Sequence, residues 1–159
     1  FRLEHDGVML SWAVPKGPSL DPSVKRFAMQ TEDHPIDYNQ FEGVIPEGEY
    51  GGGTVMIWDN GTWEPEVDDV DAALAKGDLK FQLKGKKLRG SWVLVRMRSR
   101  QWLLIKHRDV QASTDDVTAA KNRSVVSRRT LAAIAKIAGA SAKQLEEAKR
   151  ADAPAEPAR

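Results

Sequence analysis

All eleven aromatic side chains of this 159-residue chain lie between Phe1 and Trp102, and eleven of its twelve glycines precede residue 110. Aromatic rings supply much of the buried surface of a small core and glycines mark its tight turns, so the core belongs to the first two thirds of the chain. Within that stretch Val8, Leu10, Trp12 and Val14 alternate with Met9, Ser11 and Ala13, a period of two that stops at Pro15-Lys16-Gly17-Pro18. Lys25 to Thr31, Gly53 to Trp58, Leu79 to Leu83, Ser91 to Arg98 and Gln101 to Lys106 read as further strands, the last two as a hairpin turning near Ser99. Asp69 before Val70 to Lys76, followed by Gly77, predicts one short capped helix. Many short strands separated by Gly/Pro turns imply a mainly β fold, a compact β-barrel with one or two short helices.

The remainder is different in kind. Residues 1–110 read as the barrel, 111–129 as a connecting segment, and 130–150 as one amphipathic helix interrupted at Gly139, with Leu131, Ile134 and Ile137 at helical spacing. Residues 151–159, with Pro154 and Pro157 among alanines and charges, read as a disordered tail or linker. The chain opens on Phe1 within an already patterned strand, which reads as a piece of a longer polypeptide. The absence of cysteine excludes disulfides, thiolate catalysis and sulfur-based zinc sites. Twenty-four basic against 23 acidic residues give no bulk attraction to polyanions, so any nucleic-acid contact in the barrel has to come from a local arrangement. No membrane span or signal segment is legible, and a cytoplasmic protein is expected.

Three stretches could carry chemistry. Glu42 to Gly53 has five glycines in twelve positions, which suits either close ligand approach or barrel corners and bulges; it is not a nucleotide-binding loop. Glu32-Asp33-His34-Pro35-Ile36-Asp37-Tyr38 sets three carboxylates, an imidazole and a phenol at the end of a strand, where His34 is either an ordinary surface residue or a phosphate donor and general acid. Arg2 and Glu4 share one face of a strand, as a solvated pair or as a guanidinium fork for phosphate with Glu4 beside it. Lys16, Lys25 and Arg26 could extend such a surface.

F-R-L-E at Phe1 to Glu4, D-G-V-M-L-S-W-A-V-P-K-G-P-S-L-D-P at Asp6 to Pro22, E-D-H-P-I-D-Y, F-E-G-V-I-P-E-G-E-Y-G-G-G-T-V from Phe41 and W-D-N-G-T-W-E-P from Trp58 together resemble the 3′-phosphoesterase domain of bacterial DNA ligase D. The resemblance runs through W-L-L-I-K at Trp102 to Lys106. It implies a β-barrel in DNA repair by end joining that removes 3′-phosphate and 3′-ribonucleotide ends from primer-template DNA and leaves a 3′-hydroxyl. It implies Arg2, His34 and Tyr38 as the groups that hold the phosphate, with Lys16, Arg26, Glu4 and Glu32 as further substrate-binding positions. It also implies a manganese cofactor held by two histidines and an aspartate in an H-x5-H-x-D segment that precedes F-R-L-E, so these metal ligands lie upstream of Phe1 and none is expected in this chain. DNA or RNA-DNA 3′ ends, ligase and polymerase domains and the end-joining Ku protein are the implied partners. The alternative to an enzyme, left without those ligands, is a noncatalytic module that binds DNA ends or docks on a repair ligase.

Overall fold

The computed structural model describes residues 1–152; the expected tail falls, from residue 153, outside the described residues. Seven strands make one antiparallel sheet: β1 (Arg2–His5), β2 (Val8–Ala13), β3 (Arg26–Gln30), β6 (Gly61–Pro65), β7 (Asp78–Gly85), β8 (Arg89–Arg98) and β9 (Gln101–Lys106). Their order is β1-β2-β3-β9-β8-β7-β6, a nearly closed barrel in which the edge strands β1 and β6 are joined where the Trp63 indole N–H donates to the Glu4 carbonyl at 2.9 Å. The tight turn between β1 and β2 uses Asp6 and Gly7, both at positive φ (50° and 81°), the conformation a two-residue hairpin requires. At Gly61 on β6 a Cβ would collide with the Lys84 carbonyl of β7, so only glycine lets these strands approach.

Strand alternation decides what is inside. Leu3, Leu10, Trp12, Ala28, Leu79, Phe81, Trp92, Leu94, Trp102 and Leu104 are all buried and form the core. Trp12 meets Trp102 edge to face with centroids 5.8 Å apart, and the Trp102 N–H donates to the Gln30 amide oxygen, which satisfies the indole's one donor. Helix α1 (Val70–Lys76) is capped by the Asp69 carboxylate and ends at Gly77 in the left-handed conformation, as the sequence predicts. Arg96 donates to the carbonyls of Leu74 and Ala75 and so ties the last turn of α1 to β8.

The domain boundaries differ from those expected at residues 110, 129 and 150. One compact unit comprises Phe1–Ile36 with Gly61–Val117; the other comprises Asp37–Asn60 with the residues from Thr118 onward. The second unit begins within a 3-10 turn over Ile36–Gln40 and holds a separate two-stranded ladder, β4 (Gly43–Ile45) with β5 (Gly53–Val55). Its glycines therefore shape that hairpin, with Gly48 and Gly51 at positive φ, rather than barrel corners. After the short α2 (Val117–Ala120), the predicted single helix is two, α3 (Leu131–Ile137) and α4 (Ala142–Asp152). The break falls at Gly139, where φ is 74° and the chain reverses. Both carboxylate oxygens of Asp152 accept from the N–H groups of Leu131 and Ala132, so the end of α4 caps the start of α3. The buried Gln144 side chain donates to the Ile45 carbonyl and accepts from the Ser141 N–H, which fastens α4 to the hairpin. Composition could not show that a glycine-rich segment and an alanine-rich segment share one unit, because the bonds that join them span about a hundred residues.

Lys106 carries a charge into the barrel. The Lys106 side chain is fully buried and its ammonium spends its three protons on the Ser91 and His107 carbonyls and the Asp109 carboxylate, the last at 2.7 Å. Burial works to raise the Asp109 pKa, but the hydrogen bonds from Lys106 and from the Ser91 and Gln111 N–H groups outweigh it and hold the carboxyl below its usual value.

Trp63→Phe keeps the ring against Phe81 and loses only the bond across the barrel seam, so urea denaturation should show a loss of about 1 kcal/mol with an unchanged slope. Lys106→Met should cost about 3 kcal/mol at neutral pH by leaving Asp109 without its buried partner. Because the folded Asp109 pKa is depressed, its contribution is present above the ordinary carboxylate value of 3.8 and disappears as the pH falls through the folded value. The stability gap between wild type and Asp109→Asn should therefore close in acid.

Candidate functional site

The face of β1 and β2 opposite Leu3, Leu10 and Trp12 carries Arg2, Glu4, Met9 and Ser11, of which Met9 and Ser11 are themselves buried. In the antiparallel register Arg2 lies directly across from Ser11, and Glu4 across from Met9. Directly opposed residues project to the same side, so these four side chains form one patch.

His34 reaches that patch through a change of register. Trp12 pairs with Gln30, while Met9 pairs with His34, so two residues of β2 oppose three of the chain leaving β3. The extra residue is a β-bulge, and it sets His34 rather than Asp33 opposite Met9. The bridge is made by reciprocal backbone bonds, Met9 N–H to the His34 carbonyl at 2.8 Å and His34 N–H to the Met9 carbonyl at 3.0 Å. The His34 ring then lies 2.9 Å from the Ser11 hydroxyl through Nδ1. Ser11 donates its own proton to the Met9 carbonyl at 3.0 Å, so its oxygen accepts from Nδ1–H. The neutral imidazole is thereby held as the Nδ1–H tautomer, and Nε2 is the atom that can gain or release a proton. Ser11 is buried, 3% exposed, whereas Arg2 and His34 are half-buried.

The structure thus brings Arg2, Glu4 and His34 onto one face. Glu32 is exposed within the bulged segment, and Lys16 is exposed in the turn after β2. Arg26 pairs with Leu104 and alternates with the buried Ala28, which places it on the core side of β3; its Nε is buried and meets no hydrogen-bond partner among the described residues. Tyr38 lies in the second unit on the 3-10 turn, half exposed, its ring stacked on Phe41 at 6.0 Å and 24°. Ser11 was not singled out from the sequence. Its signal was present but ambiguous: it alternates with Leu10 and Trp12, and outward serines in strands are commonplace.

The three histidines have separate neighbours: Asp71 and Asp6 for His5, Ser11 for His34, and Ser91 for His107. Two histidines and an aspartate able to hold manganese as the resemblance implies do not converge among the described residues. The one group of His and Asp side chains in metal-ligand proximity among them is His5, Asp6 and Asp71, an exposed ion-pair cluster at the β1–β2 turn and the start of α1. A shallow surface depression of about 420 Å³ lies beside the β7–β8 turn, lined by Lys84, Arg89, Asp109 and their neighbours. It contains none of the expected site residues, and Asp109 there is committed to Lys106, so the cross-strand patch is the better candidate.

Residues 1–96 match the family described as the DNA Ligase D 3′-phosphoesterase domain. The chain is 54% identical over 138 residues to the multifunctional non-homologous end joining protein LigD of Pseudomonas aeruginosa, a match covering 82% of this chain and 16% of that protein. It is 47% identical over 103 residues to the protein of the same name from Mycobacterium bovis, covering 65% of this chain and 13% of the relative. With that of Mycolicibacterium smegmatis the identity is 41% over 113 residues, 68% of this chain and 15% of the relative. The chain therefore spans only about a sixth or less of these relatives. No helix among the described residues is long and apolar enough to cross a membrane.

The Ser11 contact has a direct spectroscopic consequence. In Ser11→Ala the Nδ1 acceptor is lost, and long-range ¹H–¹⁵N spectra of the imidazole should show His34 leaving the Nδ1–H form for the Nε2–H form. An unchanged tautomer would mean that Ser11 does not set it.

Proposed function

We propose, from the premise that this chain belongs to the DNA ligase D 3′-phosphoesterase domain family, that it processes DNA 3′ ends for end joining, removing a 3′-phosphate or 3′-ribonucleotide to leave a 3′-hydroxyl. The observation that carries the proposal is the cross-strand set of Arg2, Ser11 and His34 on one face of β1, β2 and the bulged segment. A phosphoryl group spreads negative charge over its oxygens during displacement, and fixed donors aimed at those oxygens stabilise it. Arg2 supplies a planar fork for two oxygens. His34, with Nδ1 fixed by Ser11, offers Nε2 for proton exchange with the phosphate or the leaving group.

Tyr38 and Arg26 are assigned to substrate binding on the family resemblance alone. Lys16 and Glu32 are assigned to the flanking substrate and Glu4 to orienting Arg2 on β1. Manganese, held as the resemblance implies by two histidines and an aspartate that do not converge among the described residues, would neutralise phosphate charge and supply an activated water. DNA or RNA-DNA primer-template ends are the proposed substrates, and ligase and polymerase domains the proposed partners.

The test is a manganese-supplemented assay of the full-length polypeptide carrying this domain, on a primer-template with a 3′-phosphate. Arg2→Ala should weaken substrate binding by roughly 1.5 to 3 kcal/mol for each charge-assisted bond lost, and His34→Ala should lower turnover by about 10²-fold or more. Turnover retained in both variants refutes the assignment. Binding of 3′ ends without product in the wild type would leave a noncatalytic end-binding module instead.

A further inference from the structure

We infer that the loop at residues 121–129 in the second unit is a contact surface for the nucleic-acid phosphate backbone, separate from the end-processing residues. The inference rests on the proposed nucleic-acid substrate and extends it. Between Val117 and Leu145 the chain carries six basic side chains, Lys121, Arg123, Arg128, Arg129, Lys136 and Lys143, and no acidic one. All six are exposed, and four of them fall within the nine residues 121–129. The overall balance of 24 basic to 23 acidic residues hides this concentration.

The loop is built rather than slack. Ser124 is buried, and its hydroxyl accepts from the N–H groups of Val126 and Ser127 at 3.0 Å each. Its backbone exchanges bonds with the far end of the loop, Ser124 N–H to the Arg129 carbonyl and Arg128 N–H to the Ser124 carbonyl. The Arg123 guanidinium donates to the Arg128 carbonyl, which holds these two arginines together. Two bonds root the loop on the segment after β5: the Trp58 indole N–H to the Lys121 carbonyl at 2.6 Å and the Val125 N–H to the Ile57 carbonyl at 3.0 Å. At its tip Arg128 adopts φ 63°, a left-handed conformation that costs a non-glycine residue about 1 kcal/mol or more. No ion pair of the Arg128 and Arg129 side chains offsets that cost among the described residues.

A loop fixed by its own hydrogen bonds that spends strain to expose adjacent guanidinium groups has the construction of a phosphate-positioning surface. Such contacts read no sequence, so the fitting partner is the backbone of the duplex or its overhang. The other basic turn, between β7 and β8, is a poorer candidate: Lys84 is paired with Glu64 at 2.7 Å and Arg89 Nε is given to the Gly85 carbonyl.

The test is fluorescence-anisotropy titration of the full chain with a labelled primer-template duplex ending in a 3′-hydroxyl, over a range of salt concentrations. Arg128→Asn with Arg129→Gln removes two charges, and asparagine tolerates the left-handed position, so the fold is kept. Affinity near 0.1 M salt should fall about tenfold, and the slope of log affinity against log salt should shrink by about 2. Lys86→Gln with Lys87→Gln, an equal loss of charge on the β7–β8 turn, should change neither by more than a small fraction of that. Equal weakening by both pairs, or no weakening by the loop pair, overturns the inference. Duplex binding that depends on the loop, alongside no turnover of a 3′-phosphate in the full-length manganese assay, would refute the proposed function and leave the loop assignment standing.

Discussion

The register of β2 between its two neighbours is the constraint from which the rest of the barrel follows. β2 pairs with all of β1 through Val8 to Ser11 and with β3 at Trp12 and Ala13, and Leu10 and Trp12 on one face of it are committed to the core. A slip of one residue would exchange that face for Met9 and Ser11 and turn a hydroxyl toward the tryptophans. With the register pinned by two tryptophans meeting edge to face, Arg2 must stand across from Ser11. The bulge after Gln30 then decides which residue of the acidic segment faces the patch, and it selects the histidine.

A second consequence concerns how polar groups are used. Within the barrel the buried Lys106 and the tryptophan N–H groups of Trp92 and Trp102 hold loops and strands in place, each with its hydrogen bonds satisfied. The second unit, poorer in large apolar residues, relies more on directed bonds: Gln144 to the β4–β5 hairpin, Ser141 to Glu47, and Asp152 to the open end of α3. Such bonds contribute modestly each, but leaving their buried partners unmet is costly, so they specify one arrangement of short elements.

The two proposals give these styles of construction a common theme, a phosphate partner. The barrel face offers a guanidinium, a hydroxyl-anchored imidazole and the carboxylate of Glu4, suited to one reacting group. The loop at residues 121–129 offers clustered guanidinium groups on a fixed backbone, suited to repetitive charge. Neither feature depends on net charge, which is only +1 for the chain. What matters is local density, because screening confines each cation's influence to about 10 Å at ordinary salt.

The sequence by itself determined the β-barrel, the α1 helix with both caps, the β8–β9 hairpin, and the membership of Arg2 and Glu4 on one strand face. These are local matters of period, capping and turn chemistry, and they are legible wherever a pattern extends over a few residues. The family strings imply Arg2, His34 and Tyr38 as phosphate-binding residues, and only the placement of Arg2 on its strand is a local matter. The interruption at Gly139 was legible too, but only the tertiary structure decided the bulge that turns His34 toward Ser11, the core-side position of Arg26, and the union of the alanine-rich helices with the glycine-rich hairpin. Each of these depends on bonds between residues more than twenty positions apart, or on a one-residue change of register, and neither leaves a periodic trace in the chain. Pairing partners are chosen by what the whole sheet can bury and satisfy at once, and a single segment read alone does not contain that choice.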